Sequence, residues 1–376
     1  MTRAREKLFA IVTPMLSVLF CLVMAEIVLH FLPVTTGLRS MPVTATDPIF
    51  HFEPNRNYVF SHGWRFENVN HGRVNNAGWV NDQDYDRNGS APLIAIVGDS
   101  FIEAQMVPYA QTIQARMAAA LAGRFRVYSF AGSGAPLSQY LIWVRHAVED
   151  YGAKAVVINV VANDFDESHV AYKSAPGFWL YAPDRDGVLH LKLFEHRRGL
   201  LWSLAQRSAL ARYLLINLKL NAVGFEIPVL RNLFLGRPAM AATPGEFAAE
   251  RDAQRMKISY AVIDAFFRDV PQFVALPPQR IVFTLDGFHE PQAAAAGVGS
   301  YLDRMRQAFR ARGQALGYEV IDLQPFFLEH LQRTGDRVDF ANDLHWNGTG
   351  HAAAAKALLS SSWLAQLGWH GTVGRQ

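Results

Sequence analysis

The chain contains a single cysteine, Cys21, which excludes an internal disulfide framework and a zinc site built from cysteines. It also has little excess charge, because 36 basic and 33 acidic residues leave a formal net charge of +3. No run of Lys and Arg with interleaved aromatic residues occurs, so we expect no nucleic-acid partner. Hydrophobic residues are plentiful, at 50% of the 376 residues, which is enough for a large core.

The N-terminal stretch from Leu8 to Ala25 has no charged residue and approaches the roughly 20 apolar residues that a transmembrane helix needs. Basic residues precede it and predict a cytoplasmic amino terminus; they are Arg3, Arg5 and Lys7. We therefore predict that residues 8–32 form one membrane anchor, with everything after Pro33 on the periplasmic or extracytoplasmic side. The alternative is a signal peptide with Val23-Met24-Ala25 as its cleavage site.

An apolar run without alternation, Leu93-Ile94-Ala95-Ile96-Val97, leads into Gly98-Asp99-Ser100. This pattern is typical of a parallel strand that is buried on both faces and ends in a tight turn. Ser100 would then lie at the carboxyl end of the strand, where ligands bind in open α/β sheets. An ordinary turn with Ser or Asp as a helix cap would show the same residues, so a role for Ser100 depends on other parts of the chain.

A second candidate stretch, Asp343-Leu344-His345-Trp346, precedes an alanine-rich helix near the other end of the chain. A serine hydroxyl becomes a good nucleophile when a base within hydrogen-bond reach takes its proton, and a third group must fix the tautomer of that base. Ser100, His345 and Asp343 would supply these three roles. Taken alone, a histidine close to a helix start is more often a cap.

Two more strand ends carry groups that could stabilise a negative charge. Gly134 follows a short strand around residues 125–130, and Asn163 follows the buried strand 155–161. The backbone N–H of Gly134 and the side-chain amide of Asn163, together with the N–H of Ser100, are the parts of an oxyanion hole. A turn glycine and a turn asparagine are the alternative interpretations.

These four blocks together resemble the SGNH (GDSL-type) hydrolases, and the resemblance covers about residues 90–360. The matching residues, in the family's order, are Gly98-Asp99-Ser100-Phe101, Gly134, Asn163 in Ala162-Asn163-Asp164, and Asp343 with His345. The resemblance implies a flavodoxin-like three-layer α/β/α sandwich. It also implies that Ser100 is the nucleophile, His345 the base and Asp343 its support, with Ser100, Gly134 and Asn163 in the oxyanion hole.

The last block departs from the commoner family spacing, Asp-x-x-His, because Asn342 occupies the usual acid position. The Asp-x-His-Trp form resembles relatives that O-acetylate extracellular polysaccharides, alginate acetylation proteins among them.

In the second block, either Gly132 or Gly134 could be the family's oxyanion-hole glycine. We prefer Gly134 because Gln139-Tyr140-Leu141 follows it at the offset of family members.

Strands and helices alternate along the chain, which predicts an α/β fold with a parallel sheet of about five strands. We expect the strands at 93–98, 125–130, 155–161, 280–285 and 318–323. Three segments are predicted: 1–32 as cytoplasmic tip and anchor, 33–92 as a connecting segment packed on the catalytic domain, and 93–376 as that domain, with an insertion at about 165–275. Within the insertion, residues 200–220 predict an apolar helix that covers the sheet, or else contacts the membrane surface.

Three functions are compatible with these features. The first is a serine esterase that removes acyl groups, O-acetyl above all, from an envelope or secreted glycan. The second is a polysaccharide O-acyltransferase with the same triad, which requires a multi-spanning acyl-donor partner because one span cannot carry the donor across the membrane. The third is a non-catalytic scaffold of an exopolysaccharide machine. We expect no metal or cofactor, and we interpret His289-Glu290 and His351 as surface or capping residues.

Overall fold

The computed structural model describes residues 3–197, 199–220, 248–341 and 343–369. These residues belong to two compact units. The N-terminal unit draws on residues within 1–39, 57–72 and 198–238, and the sheet unit on residues within 40–56, 73–197 and 239–376. Residues 33–92 are therefore shared between the two units.

The described secondary structure alternates between helices and strands. The helices are α1 (Arg3–Leu29), α2 (Ser100–Glu103), α3 (Ile113–Ala120), α4 (Leu137–Tyr151), α5 (Asp164–Glu167), α6 (Leu200–Ala205), α7 (Ala209–Arg212), α8 (Ala248–Phe273), α9 (Pro291–Ala296), α10 (Tyr301–Ala315), α11 (Gln324–Thr334), α12 (Gly348–Leu359) and α13 (Ser362–Gln366). The strands are β1 (Arg56–His62), β2 (Glu67–Val74), β3 (Leu93–Gly98), β4 (Arg126–Ala131), β5 (Ala153–Val160), β6 (Trp179–Pro183), β7 (Leu189–Leu193), β8 (Ile281–Leu285), β9 (Glu319–Asp322), β10 (Asp339–Phe340) and β11 (Asp343–Trp346).

The N-terminal unit contains α1, whose segment Lys7–Leu29 is long and apolar enough to span a membrane. This segment has 23 residues and a mean hydropathy of 2.5, and its most apolar stretch of 18 residues is not buried. The unit also holds most of the two-stranded sheet β1–β2 and the helices α6 and α7.

The single helix predicted over 200–220 is wrong in detail, because the chain breaks it after α6 and continues α7 into one π-helical turn, Tyr213–Asn217. The break occurs at Ser208, which has extended backbone and whose hydroxyl accepts a hydrogen bond from Ala211 N. An N-cap of this kind starts a new helix. The described part of the segment belongs to the N-terminal unit and not to the unit of the five-stranded sheet.

The centre of the sheet unit is a five-stranded sheet with the order β4-β3-β5-β8-β9. Every neighbouring pair in it is parallel. The first strand therefore lies between the second and third, which is the flavodoxin-like order. The predicted α/β class and all five predicted strands are confirmed, with ends shifted by one or two residues.

Helices cover both faces of this sheet. Ile94 and Ile96 of β3 point into one core with α3, α11 and α12. On the opposite face, Phe283 of β8 packs against Phe266 of α8 and Phe309 of α10, with ring centroids 6.0 and 5.3 Å apart. Because successive side chains of a strand point to opposite faces, a strand covered on both sides must be apolar throughout, and all six residues of β3 are buried.

The register of the sheet brings the candidate residues to one edge. Gly98 pairs with Ala131 across β3 and β4, and Val97 pairs with Ile158 across β3 and β5. The carboxyl ends of these three neighbouring strands therefore align. The turns that follow them carry Ser100, Gly134 and Asn163.

Candidate active site

Ser100 is the first residue of α2, directly after the turn that ends β3. The turn is held by Asp99, whose carboxylate accepts a hydrogen bond from Phe101 N at 3.0 Å and so caps the helix. Burial raises the pKa of Asp99 to about 6. The Ser100 side chain is half-buried, so its hydroxyl stays accessible at the edge of the sheet.

His345 and Asp343 both lie on β11, the second strand of a short antiparallel hairpin with β10. The side chains of residues two apart point to the same side of a strand, and His345 Nδ1 lies 2.5 Å from Asp343 Oδ1. The same carboxylate oxygen accepts the backbone N–H of His345 at 3.1 Å. Asp343 therefore fixes both the ring and the backbone of His345.

His345 Nε2 lies 2.7 Å from Ser100 Oγ, which completes a hydrogen-bonded chain from hydroxyl to imidazole to carboxylate. A carboxylate only accepts hydrogen bonds, so Nδ1 carries the proton and Nε2 accepts from the hydroxyl. The hydroxyl also lies 3.3 Å from Asp99 Oδ2, a longer contact than the one to His345. The structure thus brings together the three residues that the sequence predicts as a triad.

The surroundings of His345 favour its charged form. Burial by itself would lower the pKa of this histidine, but the hydrogen bond to Asp343 and the negative charges of Asp343, Asp99 and Glu103 raise it. The ring also packs on Phe101, with 4.7 Å between centroids. An imidazolium formed by proton transfer from Ser100 would therefore be stabilised where it arises.

Gly134 lies in the turn after β4 with φ +73°, in the left-handed region that favours glycine. Gly132, the competing residue, has a different reason to be glycine: a Cβ there would lie 3.2 Å from both Phe50 and Trp143. The hydroxyl of Ser133 donates a hydrogen bond to Glu103 of α2, which burial leaves with a pKa raised to about 7. This contact ties the Gly134 turn to the helix that begins with Ser100.

Asn163 precedes α5 at the end of β5, and its Nδ2 donates to Glu167 Oε2 at 3.1 Å. Glu167 is in turn paired with Lys173. Because an amide nitrogen carries two hydrogens, one N–H remains for a ligand at the sheet edge. The next residue, Asp164, is fully buried and accepts hydrogen bonds from Tyr140 Oη and Val161 N at 2.8 Å each, so it holds the turn in place.

A buried ion cluster beside β11 was missed by sequence reasoning. His289 donates from Nε2 to Asp286 at 3.0 Å and from Nδ1 to Asp339 at 3.1 Å. Asp286 also accepts the indole N–H of Trp346 at 2.9 Å. The expectation of a surface or capping role is therefore wrong for His289, whose side chain is only 9% exposed. The cluster ties the end of β8 to both strands of the hairpin that carries His345.

His351 was also expected at the surface or as a cap, and the structure shows a buried cap. Its Nδ1 accepts the backbone N–H of Ile113, the first residue of α3, at 3.1 Å. Burial lowers the pKa of His351 to about 3. The hydrogen bond from Ile113 requires an unprotonated Nδ1, and the lowered pKa keeps the ring of His351 neutral.

We expect the ion cluster of His289 to make the folded protein less stable as the pH rises into the alkaline range. Burial acts to lower the pKa of His289, but Asp286 and Asp339 raise it to about 9. Because the pKa of His289 is higher in the folded than in the unfolded protein, its charged form stabilises the fold. This stabilisation is fully present below the ordinary histidine pKa near 6.5, and it disappears as the pH rises through 9. His289→Gln should therefore be less stable than wild type at pH 6, by on the order of 3 kcal/mol, and the difference should shrink by pH 10.

Thermal unfolding of both proteins across this pH range measures the difference. His190→Gln is the matched control, because His190 forms an exposed ion pair with Asp184, and it should change stability little. A difference between wild type and His289→Gln that grows with pH would contradict a charged His289.

A cavity of about 550 Å³ lies elsewhere in the sheet unit. Its lining includes Tyr85, Arg87, His146 and Asp150, and no Ser, Thr, Cys or Lys is among the lining residues. Asp150 and Tyr151 of this cavity end α4, at the opposite end of that helix from the Gly134 turn. None of the lining residues belongs to the group formed by Ser100, His345 and Asp343.

A scan against protein-family models and a search of curated proteins found no match. Solved structures similar to this chain include an acetyl-xylooligosaccharide esterase variant from Geobacillus, with 11% identity, 77% of this chain and 100% of that chain covered, and a TM-score of 0.39. A carbohydrate esterase family 2 enzyme with a carbohydrate-binding domain from Corynascus shares 17% identity over 77% of this chain and 70% of that chain, with a TM-score of 0.37. A lipolytic G-D-S-L family member from Veillonella parvula shares 12% identity over 72% and 98%, with a TM-score of 0.35.

Proposed function

We propose that the protein is a membrane-anchored serine esterase of the SGNH type that acts on acyl esters. The observation that carries the proposal is the hydrogen-bonded chain Ser100 Oγ, His345 Nε2, His345 Nδ1 and Asp343 Oδ1, with links of 2.7 and 2.5 Å. A half-buried histidine–carboxylate pair that accepts a serine hydroxyl at a strand end is the arrangement that nucleophilic acyl transfer requires.

In the first half of the reaction, Ser100 Oγ attacks the ester carbonyl carbon while His345 Nε2 takes the hydroxyl proton. Asp343 keeps the Nδ1 proton in place and stabilises the imidazolium. The carbonyl oxygen becomes negatively charged, and the N–H groups of Ser100 and Gly134 with the amide of Asn163 would donate to it. The tetrahedral species then collapses, His345 returns the proton to the departing alcohol oxygen, and the acyl group stays on Ser100.

In the second half, water replaces the alcohol. His345 takes a proton from the water, whose oxygen attacks the acyl carbon, and the carboxylic acid leaves as Ser100 recovers its proton. The residues needed for both halves are the same, so no other group has to enter the site.

The substrate we propose is an O-acetyl ester on an envelope or secreted glycan. The apolar helix α1 with basic residues at its amino end supports a position of the sheet unit on the periplasmic or extracytoplasmic side. The Asp343-Leu344-His345-Trp346 form favours a second candidate, an O-acyltransferase in which a sugar hydroxyl replaces water. That activity would need a multi-spanning partner to supply the acyl group.

One experiment separates these functions. The detergent-purified full chain is incubated with a chromogenic acetyl ester, with and without a glycan acceptor, and free acetate and acetylated glycan are measured. An esterase releases acetate in both mixtures, whereas a transferase moves acetyl to the glycan. If neither product forms, the proposal fails and a scaffold role is favoured.

Removal of the Asn163 amide tests the oxyanion hole. We expect Asn163→Ala to lower kcat by about 10²–10³ with little change in KM, because the amide would donate mainly to the charge that develops in the transition state. Initial rates on the chromogenic ester measure both constants. Asn88→Ala is the matched control, since Asn88 is exposed, and it should leave both constants unchanged. A rise in KM alone would assign Asn163 to ground-state binding.

A further inference from the structure

Exposed apolar side chains are concentrated in the small N-terminal unit. Among the described residues of this unit outside α1, four large ones are more than half exposed: Phe31 at 85%, Leu200 at 82%, Trp64 at 66% and Leu204 at 57%. In the described part of the much larger sheet unit, only Val298 and Leu344 exceed that level, both at 76%. Such a concentration on one small unit indicates a surface that meets something apolar. Phe31, Trp64, Leu200 and Leu204 are called the apolar rim below.

The elements that carry the apolar rim are connected to the carboxyl end of α1, because Phe31 follows α1 by two residues and α6, with Leu200 and Leu204, leads into α7. Glu26 of α1 accepts hydrogen bonds from Ser208 Oγ, Ala209 N and Leu210 N at 2.8 Å each, so it holds the first turn of α7. Leu204 precedes that turn by four residues. Leu29, at the end of α1, shares a buried cluster with Val34 and Ala209.

Trp64 is connected to the same place. Tyr213 packs against the cluster of Leu29, its hydroxyl donates to the carbonyl oxygen of Trp64 at 3.4 Å, and its ring lies 5.4 Å from that of Phe66. The segment of Trp64 is therefore joined to the end of α1 by contacts within the unit, and Phe31 and α6 are joined to it by the chain.

The length of α1 determines how deep in a membrane its carboxyl end would lie. The apolar segment Lys7–Leu29 has 23 residues, which makes it about 35 Å long at about 1.5 Å per residue. The hydrocarbon core of a bilayer is about 30 Å thick. When the segment spans the bilayer, Glu26 and Leu29 lie close to the headgroups, and the first turn of α7, which Glu26 holds, lies at the same depth.

We propose that the N-terminal unit rests on the bilayer surface through the apolar rim, in addition to its single span. The chemistry of the rim fits that partner. Trp64 is a residue type enriched at membrane interfaces, and the guanidinium of Arg65 lies 4.7 Å from its ring centroid. Arg207, between α6 and α7, is exposed as well. Aliphatic and aromatic side chains beside arginines are suited to acyl chains below and phosphate groups above.

This proposal rests on the membrane anchoring in the proposed function, and labels at defined positions test the two separately. Cys21 is the only cysteine of the chain and is exposed on α1, so a thiol-reactive fluorophore on it reports on the span. In a Cys21→Ser background, Leu200→Cys and Leu204→Cys place the label on the rim. Val298→Cys is the matched control, because its side chain is apolar and equally exposed.

The full-length proteins are reconstituted in vesicles of phosphatidylcholine and phosphatidylglycerol that contain lipids spin-labelled near the headgroup or deep in the acyl chain. We expect the shallow quencher to reduce the Leu200→Cys and Leu204→Cys signals several-fold more than the Val298→Cys signal, and the deep quencher to act on the Cys21 label. Each labelled variant must keep the ester hydrolysis of wild type, which shows that it is folded.

If the Cys21 label is quenched and the rim labels behave like Val298, the chain is anchored but the rim does not meet lipid, and the proposal is wrong. Rim labels that are shielded from water but not quenched by lipid would mean that a second copy or another protein covers the rim, which also overturns the proposal. A Cys21 label that no lipid quenches would reject the span and the rim contact together.

Discussion

Ser100→Ala should abolish ester hydrolysis while the protein remains folded. The hydroxyl is the proposed nucleophile, and in the described part of the chain it contacts His345 and Asp99. Ser100 is half-buried at the edge of the sheet, so removal of its hydroxyl opens no cavity in the core. Loss of a triad serine lowers kcat by about 10⁶. Turnover of a chromogenic acetyl ester measures the loss, and the melting temperature shows that the fold is intact.

Ser360→Ala is the matched control, because this exposed hydroxyl donates only to carbonyl groups at the end of α12. It should retain wild-type activity. If Ser100→Ala keeps more than about one percent of the wild-type rate, another group performs the attack, because this is far above the residual rate expected after loss of a nucleophile.

Asp343→Asn is expected to have the second largest effect, a loss of about 10⁴ in kcat. An amide can donate to Nδ1 and so favour the tautomer in which Nε2 carries the proton and cannot accept one from Ser100. It also cannot stabilise the imidazolium. The pKa of His345, which Asp343 raises, should fall in the variant, and the pH dependence of kcat/KM reports that change.

Two controls accompany this substitution. Asp336→Asn changes an exposed carboxylate in the loop before the hairpin and should be silent. Asn342, which occupies the acid position of the commoner family spacing, lies outside the described residues, and Asn342→Ala should be mild. If Asn342→Ala proved the more harmful of the two substitutions, the amide of Asn342 and not Asp343 would orient the base.

The parts of the fold that sequence reasoning predicts are those determined by short stretches of chain. β3 is a run of apolar residues because both of its faces are covered, and this pattern is visible without knowing what covers them. Ser100 can be found because it follows that run. Asp343 and His345 can be paired because two residues apart on a strand already face the same way.

Contacts between distant parts of the chain could not be predicted in this way. His289 and Asp339 are 50 positions apart, and nothing near either residue indicates that they pair. The same holds for Glu26, which is 182 positions from Ser208 and explains why the helix predicted over 200–220 is interrupted. In both cases a charged residue is satisfied by a partner that only the folded chain brings near.

The placement of Asp343 and His345 on one short strand has a consequence for how this site tolerates change. Because β11 carries both the acid and the base, a movement of the hairpin as a body leaves their mutual geometry intact. Such a movement changes the long-range contact from His345 Nε2 to Ser100 Oγ across 245 positions, and the hydrogen bonds of the buried ion cluster hold the hairpin against it. Substitutions in that cluster would therefore alter the activation of the nucleophile while the acid and the base stay paired.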